Sequence, residues 1–528
     1  MKVRILLAAI PIAVLLAIGM VADVSDAGEP FSTDDGFDYE FADDGESLYL
    51  VGYNPDEEHE VADVVVPETV KYEDTYYPVT FVNAGFFQDF VKTVSIPKTV
   101  TYIGAPIFTG PNIEDIIIDP ENPRYSSVDG VIYEDSMYYL IEYPQGKKGD
   151  YFQIPESVVV IKEHAFSSCK LKEILLPPRL LSIGQYAFSN CSELSYINSV
   201  NGFNHIPGNV TVIDDSAFVE CKSLENIHLP QSLRIIGTSA FKGTALKEVT
   251  IPDGVSTIRS GAFAYCTQLE KIDCQNNALY KTYDGILYKE DGVKSIVCYP
   301  AAKKDAEFII DETVEDITPL AFSGCQYLKK IDLQAFMYIL PREAFAECES
   351  LVEINIESIV AIDDAAFRSC RNLETVGFGE DLMSIGNMAF SETKLKQVTI
   401  SDSVQTVGME AFRNCSDLEL VVFSEHCSAE VSICAFFESF NMNAISLEGV
   451  NVNLSNGSLD IGDSSHKVVL TVAVPKGYVL PADVVFDKES TVLDVHERIE
   501  RPYPYENFVA IFVCVLVLIG IIVLFRGV

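Results

Sequence analysis

Basic residues are scarce in this chain. Its 528 residues hold 37 Lys and Arg against 78 Asp and Glu, a formal charge of −41. That balance disfavours nucleic acid, whose phosphates would be repelled, and equally disfavours an anionic membrane surface. It fits a solvated acidic exterior, with divalent-cation binding as the alternative. Tryptophan is absent, and no physical account of that is apparent. Catalytic signatures are missing too: there is no HExxH, GxSxG, Walker loop or GxGxxG. Histidine is sparse, at His59, His164, His205, His228, His426, His466 and His496, without metal-ligand spacing, and no CxxC occurs to suggest zinc. Neither a cofactor nor a metal is expected, and an enzyme is disfavoured. The pairs Asp214-Asp215 and Asp363-Asp364 precede Ala-Phe and read as acceptors for turn backbone rather than as acid and base.

What the chain does have is a period. Ala-Phe recurs with its Phe at Phe166, Phe188, Phe218, Phe241, Phe263, Phe322, Phe345, Phe367, Phe390 and Phe412. The steps are 22, 30, 23, 22, 59, 23, 22, 23 and 22 residues. A short period held this long means stacked units. Each unit reads L-x-x-I-x-I-P, a turn, then V-x-x-I-G-x-x-A-F-x-x-C, as in Leu224, Ile227, Leu229, Pro230, Ile235, Gly237 and Phe241. The alternating apolar residues have the period of a strand with one buried face. The Pro ends the strand, and the Phe fills the interior. No unit buries its apolar face alone, so each needs neighbours.

These residues resemble the leucine-rich repeats of the BspA-like (Treponema pallidum type) proteins over about residues 85 to 425. Cys or Thr stands where the commoner leucine-rich consensus has Asn. The resemblance implies a β-rich right-handed solenoid and a group of surface proteins, several of them adhesins. The expected fold is therefore a β-rich leucine-rich-repeat solenoid of 22–23-residue repeats with parallel strand stacking. It carries two β-hairpin insertions, a small β-rich C-terminal module and one transmembrane helix.

Eight cysteines fall three residues after the Phe: Cys169, Cys191, Cys221, Cys266, Cys325, Cys348, Cys370 and Cys415. They read as a buried column of small apolar side chains, with free thiols preferred over disulfides between rungs. Better disulfide candidates lie off it, Cys427 with Cys434 and Cys274 with Cys298. The insertions, about 119–152 and 273–308, match each other: Asp129-Gly130 with Asp284-Gly285, Tyr143-Pro144 with Tyr299-Pro300. Asp-Gly predicts a hairpin projecting from the coil. The tyrosines of the insertions (Tyr133, Tyr143, Tyr288 and Tyr299, also Tyr125, Tyr138, Tyr139, Tyr280 and Tyr283) could form contact patches, but those shared by both copies are expected to pack the hairpin on the solenoid.

The ends suggest placement. Lys2 and Arg4 precede an apolar run, with Ser25-Asp26-Ala27 a cleavage site, so 1–27 reads as a signal peptide. Residues 28–84 read as a β-rich cap whose carboxylates match no calcium-loop spacing, 85–440 as the solenoid and 441–505 as a juxtamembrane module or stalk. Residues 508–525 are uncharged and long enough for a transmembrane helix, leaving 526–528 as a cytoplasmic tail. The expected protein is single-pass in the cell membrane with an extracellular N-terminal ectodomain. It is an adhesin or receptor-like protein that binds a protein or glycan. The alternative is an envelope spacer without a specific ligand. The expected binding row is the outward side of the parallel strands: Glu173, Asn226, His228, Glu248, Lys271, Asp273, Lys330, Asp332, Glu353 and Asn355.

Overall fold

The computed structural model describes residues 30–55, 62–83, 87, 90–104, 110–134, 136–448, 451–454, 458–459, 461, 468–475 and 491–497. The expected signal peptide, transmembrane helix and tail lie outside them. Every regular element among the described residues is a β-strand, and none of these residues forms a helix long and apolar enough to cross a membrane. The chain divides into two compact units, Met1–Ser223 and Leu224–Val528.

In the first unit, Phe31–Ser32, Phe37–Phe41 and Leu48–Tyr53 pair antiparallel in sequence order. Leu48–Tyr53, Thr75–Asn83 and Tyr102–Gly104 then run parallel. A separate parallel ladder joins Asp63–Val65, Thr93–Ile96 and Asp115–Ile118, so rung stacking already begins within residues 28–84. Further on, Tyr151–Gln153, Glu173–Leu175 and Tyr196–Ile197 form one side of the coils. Val160–Ile161, Ser182–Ile183 and Val212–Ile213 form the other.

The second unit repeats this scheme. One side stacks Glu248–Ile251 on Lys271–Cys274, then Glu307–Ile310, Lys330–Leu333, Glu353–Ile356 and Thr375–Phe378, then Gln397–Ile400, Leu420–Phe423 and Ala444–Leu447. Val468–Val474 and Thr491–Glu497 prolong that parallel ladder. Those strands of residues 441–505 therefore stack as further rungs. Loss of the Phe and Cys signature hides this, while alternation along Val468–Val474 still buries one face.

The ten repeat Phe residues are buried. Their rings stack on the ring of the next coil at 4.9 and 5.1 Å for Phe166–Phe188–Phe218 and at 4.8 to 5.4 Å for Phe322–Phe345–Phe367–Phe390–Phe412. This is about the spacing of neighbouring strands, so one ring per coil closes the interior. The series goes one member further than the expectation, to Phe436, 5.7 Å from Phe412. Each turn bends through two left-handed residues, for instance Glu343 (φ 52°) and Glu347 (φ 58°) around Phe345.

Both insertions are three-stranded antiparallel meanders: Tyr125–Val128, Val131–Glu134 and Tyr139–Glu142 in the first unit, and Tyr280–Tyr283, Ile286–Glu290 and Lys294–Cys298 in the second. Their third strands do not project. Each pairs in parallel with the next coil, at Val160–Ile161 and Asp316–Ile317. Tyr143 and Tyr299 then take the ring position of the repeat Phe, 5.2 Å from Phe166 and 5.1 Å from Phe322. Each insertion thus supplies a coil of its own. Tyr125, Tyr133, Tyr143, Tyr280, Tyr288 and Tyr299 are buried, whereas Tyr138 and Tyr283 are 47% and 49% exposed.

Two asparagines tie the meanders down. Buried Asn277 donates Nδ2 to the carbonyls of Pro252 (3.0 Å) and Val255 (2.7 Å) of the preceding coil. Its Oδ1 accepts from the amides of Leu279 and Tyr280 at 2.9 and 3.0 Å. Asn122 repeats the pattern with Pro97, Val100, Arg124 and Tyr125. Asn277→Ala would leave several buried backbone groups unsatisfied and is expected to cost about 2–4 kcal/mol in denaturant unfolding. The exposed neighbour change Asn276→Ala is expected to cost under about 0.5 kcal/mol.

Candidate binding surface

The expected row divides into separate groups. In the first unit Glu173 is half-buried and sits between Tyr151 and Tyr196 in the ladder. Those tyrosines are 49% and 47% exposed, so a Tyr–Glu–Tyr strip forms there. They lie at outward strand positions two rungs apart, on either side of Glu173, a signal the sequence offers only once the rungs are aligned. Asn226 (half-buried) and His228 (exposed) stand outside the named strands.

In the second unit the ladder sets Glu248 beside Lys271, and Thr250 beside Asp273. Lys271 Nζ lies 3.0 Å from Glu248 Oε2 and 3.2 Å from Asp273 Oδ2, and these contacts raise the Lys271 pKa. The meander then intervenes. Beyond it, Lys330 pairs with Glu353 at 2.7 Å, which raises the Lys330 pKa, and Asp332 stands beside Asn355. Exposed Ile309 is next to Asp332 in the register. The rungs place these charges so that they largely answer one another. Such solvent-exposed pairs contribute little to stability.

A second patch escaped the sequence reading. Phe336, Tyr338 and Ile339 on and beside strand Met337–Leu340 are 69%, 64% and 47% exposed. Strand alternation would bury every second residue, yet only Met337 and Leu340 turn inward. The pattern therefore leaves two consecutive apolar side chains outside.

The cysteine column is buried, but it is a hydrogen-bonding ladder rather than an apolar filler. Cys191 donates to the Phe166 carbonyl at 2.9 Å, Cys221 to Phe188 at 3.1 Å, Cys348 to Phe322 at 3.1 Å, Cys370 to Phe345 at 3.0 Å and Cys415 to Phe390 at 3.1 Å. Thr244, Thr393 and Ser439 occupy the same position; Ser439 donates to the Phe412 carbonyl of the preceding coil, whereas Thr244 and Thr393 donate to the Phe241 and Phe390 carbonyls of their own turns. A small side chain with one donor is what the turn requires. Burial holds the Cys169 and Cys191 thiols well above their usual pKa and lifts Cys415 to about 11.

Neither off-column disulfide forms. Cys274 ends its strand with the thiol on the Tyr280 carbonyl at 3.3 Å, whereas Cys298 is buried at the end of Lys294–Cys298, opposite Leu287. Cys427 is buried near the Val404 carbonyl, and Cys434 occupies the left-handed corner ahead of Ala435-Phe436. Asp214 and Asp363 each accept from the next residue's amide within their turns, and Asp364 accepts from the Asn387 amide of the next coil. No group of three His, Cys, Asp or Glu among the described residues is placed to hold a metal ion.

The family described as BspA type leucine rich repeat region matches in six copies within residues 73–128, 145–207, 199–299, 297–419 and 338–459. No curated protein matches the chain. Among solved structures, it is similar to a leucine rich cell surface protein from Faecalibacterium prausnitzii, at 22% identity over 82% of this chain and 96% of that one, TM-score 0.44. It is also similar to the pneumococcal vaccine antigen PcpA, at 16% identity over 90% and 100%, TM-score 0.41. A leucine-rich repeat protein from Eubacterium ventriosum shows 19% identity over 73% and 97%, TM-score 0.44. Similarity at this level says nothing of what the chain binds.

Proposed function

The chain belongs to the BspA type leucine rich repeat family, and from that premise we propose that it is a cell-surface binding protein, an adhesin or receptor-like molecule for a protein or glycan. The observation that carries this reading is the exposure of clustered large side chains on the coils: Tyr151 and Tyr196 about Glu173, and Phe336 with Tyr338 and Ile339. Apolar and aromatic side chains held outward in groups are costly in solvent and typical of contact surfaces. The role proposed is binding rather than catalysis. The proposed placement is single-pass in the cell membrane through residues 508–525, with the ectodomain outside. It rests on the uncharged run there and the leader-like residues 1–27.

One observation favours the spacer reading instead. Ion pairs recur from coil to coil, as in Lys172–Asp150, Lys247–Glu225 and Lys396–Glu374, which suits a rod that needs only to stack.

Capture of cell-surface and matrix extract by the immobilised full-length chain separates the two. A fivefold alanine variant at Tyr151, Tyr196, Phe336, Tyr338 and Ile339 is expected to bind at least about tenfold more weakly, a loss of about 1.4 kcal/mol. Undiminished capture by that variant would show that these patches are not the contact surface.

A further inference from the structure

The outer ladder of the second unit is interrupted between Thr375–Phe378 and Gln397–Ile400, where no insertion intervenes. Thr375–Phe378 pairs with Glu353–Ile356 at four positions, and Gln397–Ile400 pairs with Leu420–Phe423 at four, yet no ladder joins the two. The same two coils hold together everywhere else around the turn. Their rings Phe367 and Phe390 lie 5.1 Å apart, and Ile362 pairs with Ile385 on the other side. The Lys394 amide reaches the Leu373 carbonyl at 3.0 Å just before the gap, and Ser403 Oγ reaches the Leu382 carbonyl at 2.8 Å just after it. The coils part only along this window.

Gly377 and Gly379 flank Phe378 here. A Cβ at Gly379 would strike the Glu357 carbonyl, so the strand end presses onto the preceding coil in a way only glycine permits. The result is a slot of about 350 Å³. Val376 and Phe378 line it half-buried, whereas their counterparts Ile354 and Ile356 one coil earlier are buried. Gln397, Thr399, Ser401 and Glu380 form its rim. Two strand edges thus face a slot with an apolar floor and one carboxylate at its mouth.

We propose that this slot binds a short extended peptide segment carrying a basic side chain. Strand edges without a ladder partner offer main-chain hydrogen bonds to an added strand, and alternate side chains then meet pockets on one face. Val376 and Phe378 receive an apolar side chain. Glu380, in a chain of charge −41, selects a cationic one. The proposal rests on the reading of the chain as a binding protein and names the chemistry of one partner.

The test uses the full-length chain and a fluorescent, capped hexapeptide alternating Lys and Val. Saturable anisotropy is expected, with new hydrogen-exchange protection at the amides of residues 397–400. Thr399→Trp fills the slot from an exposed position and Glu380→Gln removes the charge. Each is expected to weaken binding at least tenfold with the thermal unfolding profile unchanged. No binding, or equal binding by Thr399→Trp, overturns the proposal. Binding of a neutral oligosaccharide such as chitotriose, lost in Thr399→Trp, also overturns it and makes the slot a glycan site. A chain that ignores the hexapeptide yet still captures cell-surface ligand loses this proposal and keeps the broader reading.

Discussion

Phe345→Ala is expected to destabilise residues 224–528 by about 3–5 kcal/mol, the cost of emptying a large aromatic site in a packed core. Phe345 is fully buried, and its ring stacks on Phe322 at 4.8 Å and Phe367 at 5.4 Å. Its amide is also committed, donating to the Ala366 carbonyl of the next coil at 2.9 Å. Deletion leaves a gap bounded by two rings that the rung spacing holds apart, so the site collapses poorly. Because each coil is stabilised by its neighbours, the loss spreads along the stack rather than staying in one unit. Denaturant unfolding with hydrogen exchange reads both the size and the spread. Phe336→Ala, at a 69% exposed position, is expected to change stability by under about 0.5 kcal/mol. Equal effects at both sites would mean that the ring column does not organise the fold.

A second large effect is expected at Glu142. This residue sits where the regular coils have the buried Ala of Ala-Phe, beside Tyr143 in the ring position. It is fully buried, and its Oε2 has no hydrogen-bond partner. Burial pushes its pKa well above the usual carboxylate value, with Cys169 nearby adding to the shift. The folded state therefore holds this proton more tightly than the unfolded chain does. Its contribution to stability is fully present below the ordinary Glu range and is lost as pH rises above it. Glu142→Gln, which cannot ionise, is expected to remove that decline. At neutral pH the first unit of the variant should be more stable than wild type, because folding the wild type must protonate a carboxyl that is ionised in the unfolded chain or bury its charge. At pH 4 the two should nearly coincide. Unfolding midpoints across pH 4 to 8 check this. Parallel pH curves for the two proteins would show that folding does not change the protonation of Glu142.

The repeat was legible because one residue type marks each coil. Phe166 through Phe412 mark the interior ring column in the sequence itself. Coils without that marker are hidden. Tyr143 and Tyr299 do the work of Phe under another name, so the Phe period shows their two coils only as insertions. Val468–Val474 stacks by alternation without the marker, so the period does not count it as a rung. The cysteine column was recognised by spacing, but its chemistry was not, because the Phe carbonyl it serves belongs to the preceding coil. Asn122 and Asn277 were invisible for a similar reason: each satisfies carbonyls more than twenty residues earlier. For the binding row, the strand period correctly placed Glu248, Lys271 and Glu353 outward. It could not foretell that a meander separates the groups, nor that Phe336, Tyr338 and Ile339 lie exposed on another strand.

The most direct test of the account is a hydrogen-exchange footprint of the full-length chain, with and without the partner it captures from cell-surface extract. The account predicts saturable capture, with new protection concentrated on Tyr151–Gln153, Tyr196–Ile197 and Met337–Leu340. Absence of any saturable partner, or protection confined to the Ala-Phe turns, would contradict it and favour the spacer reading.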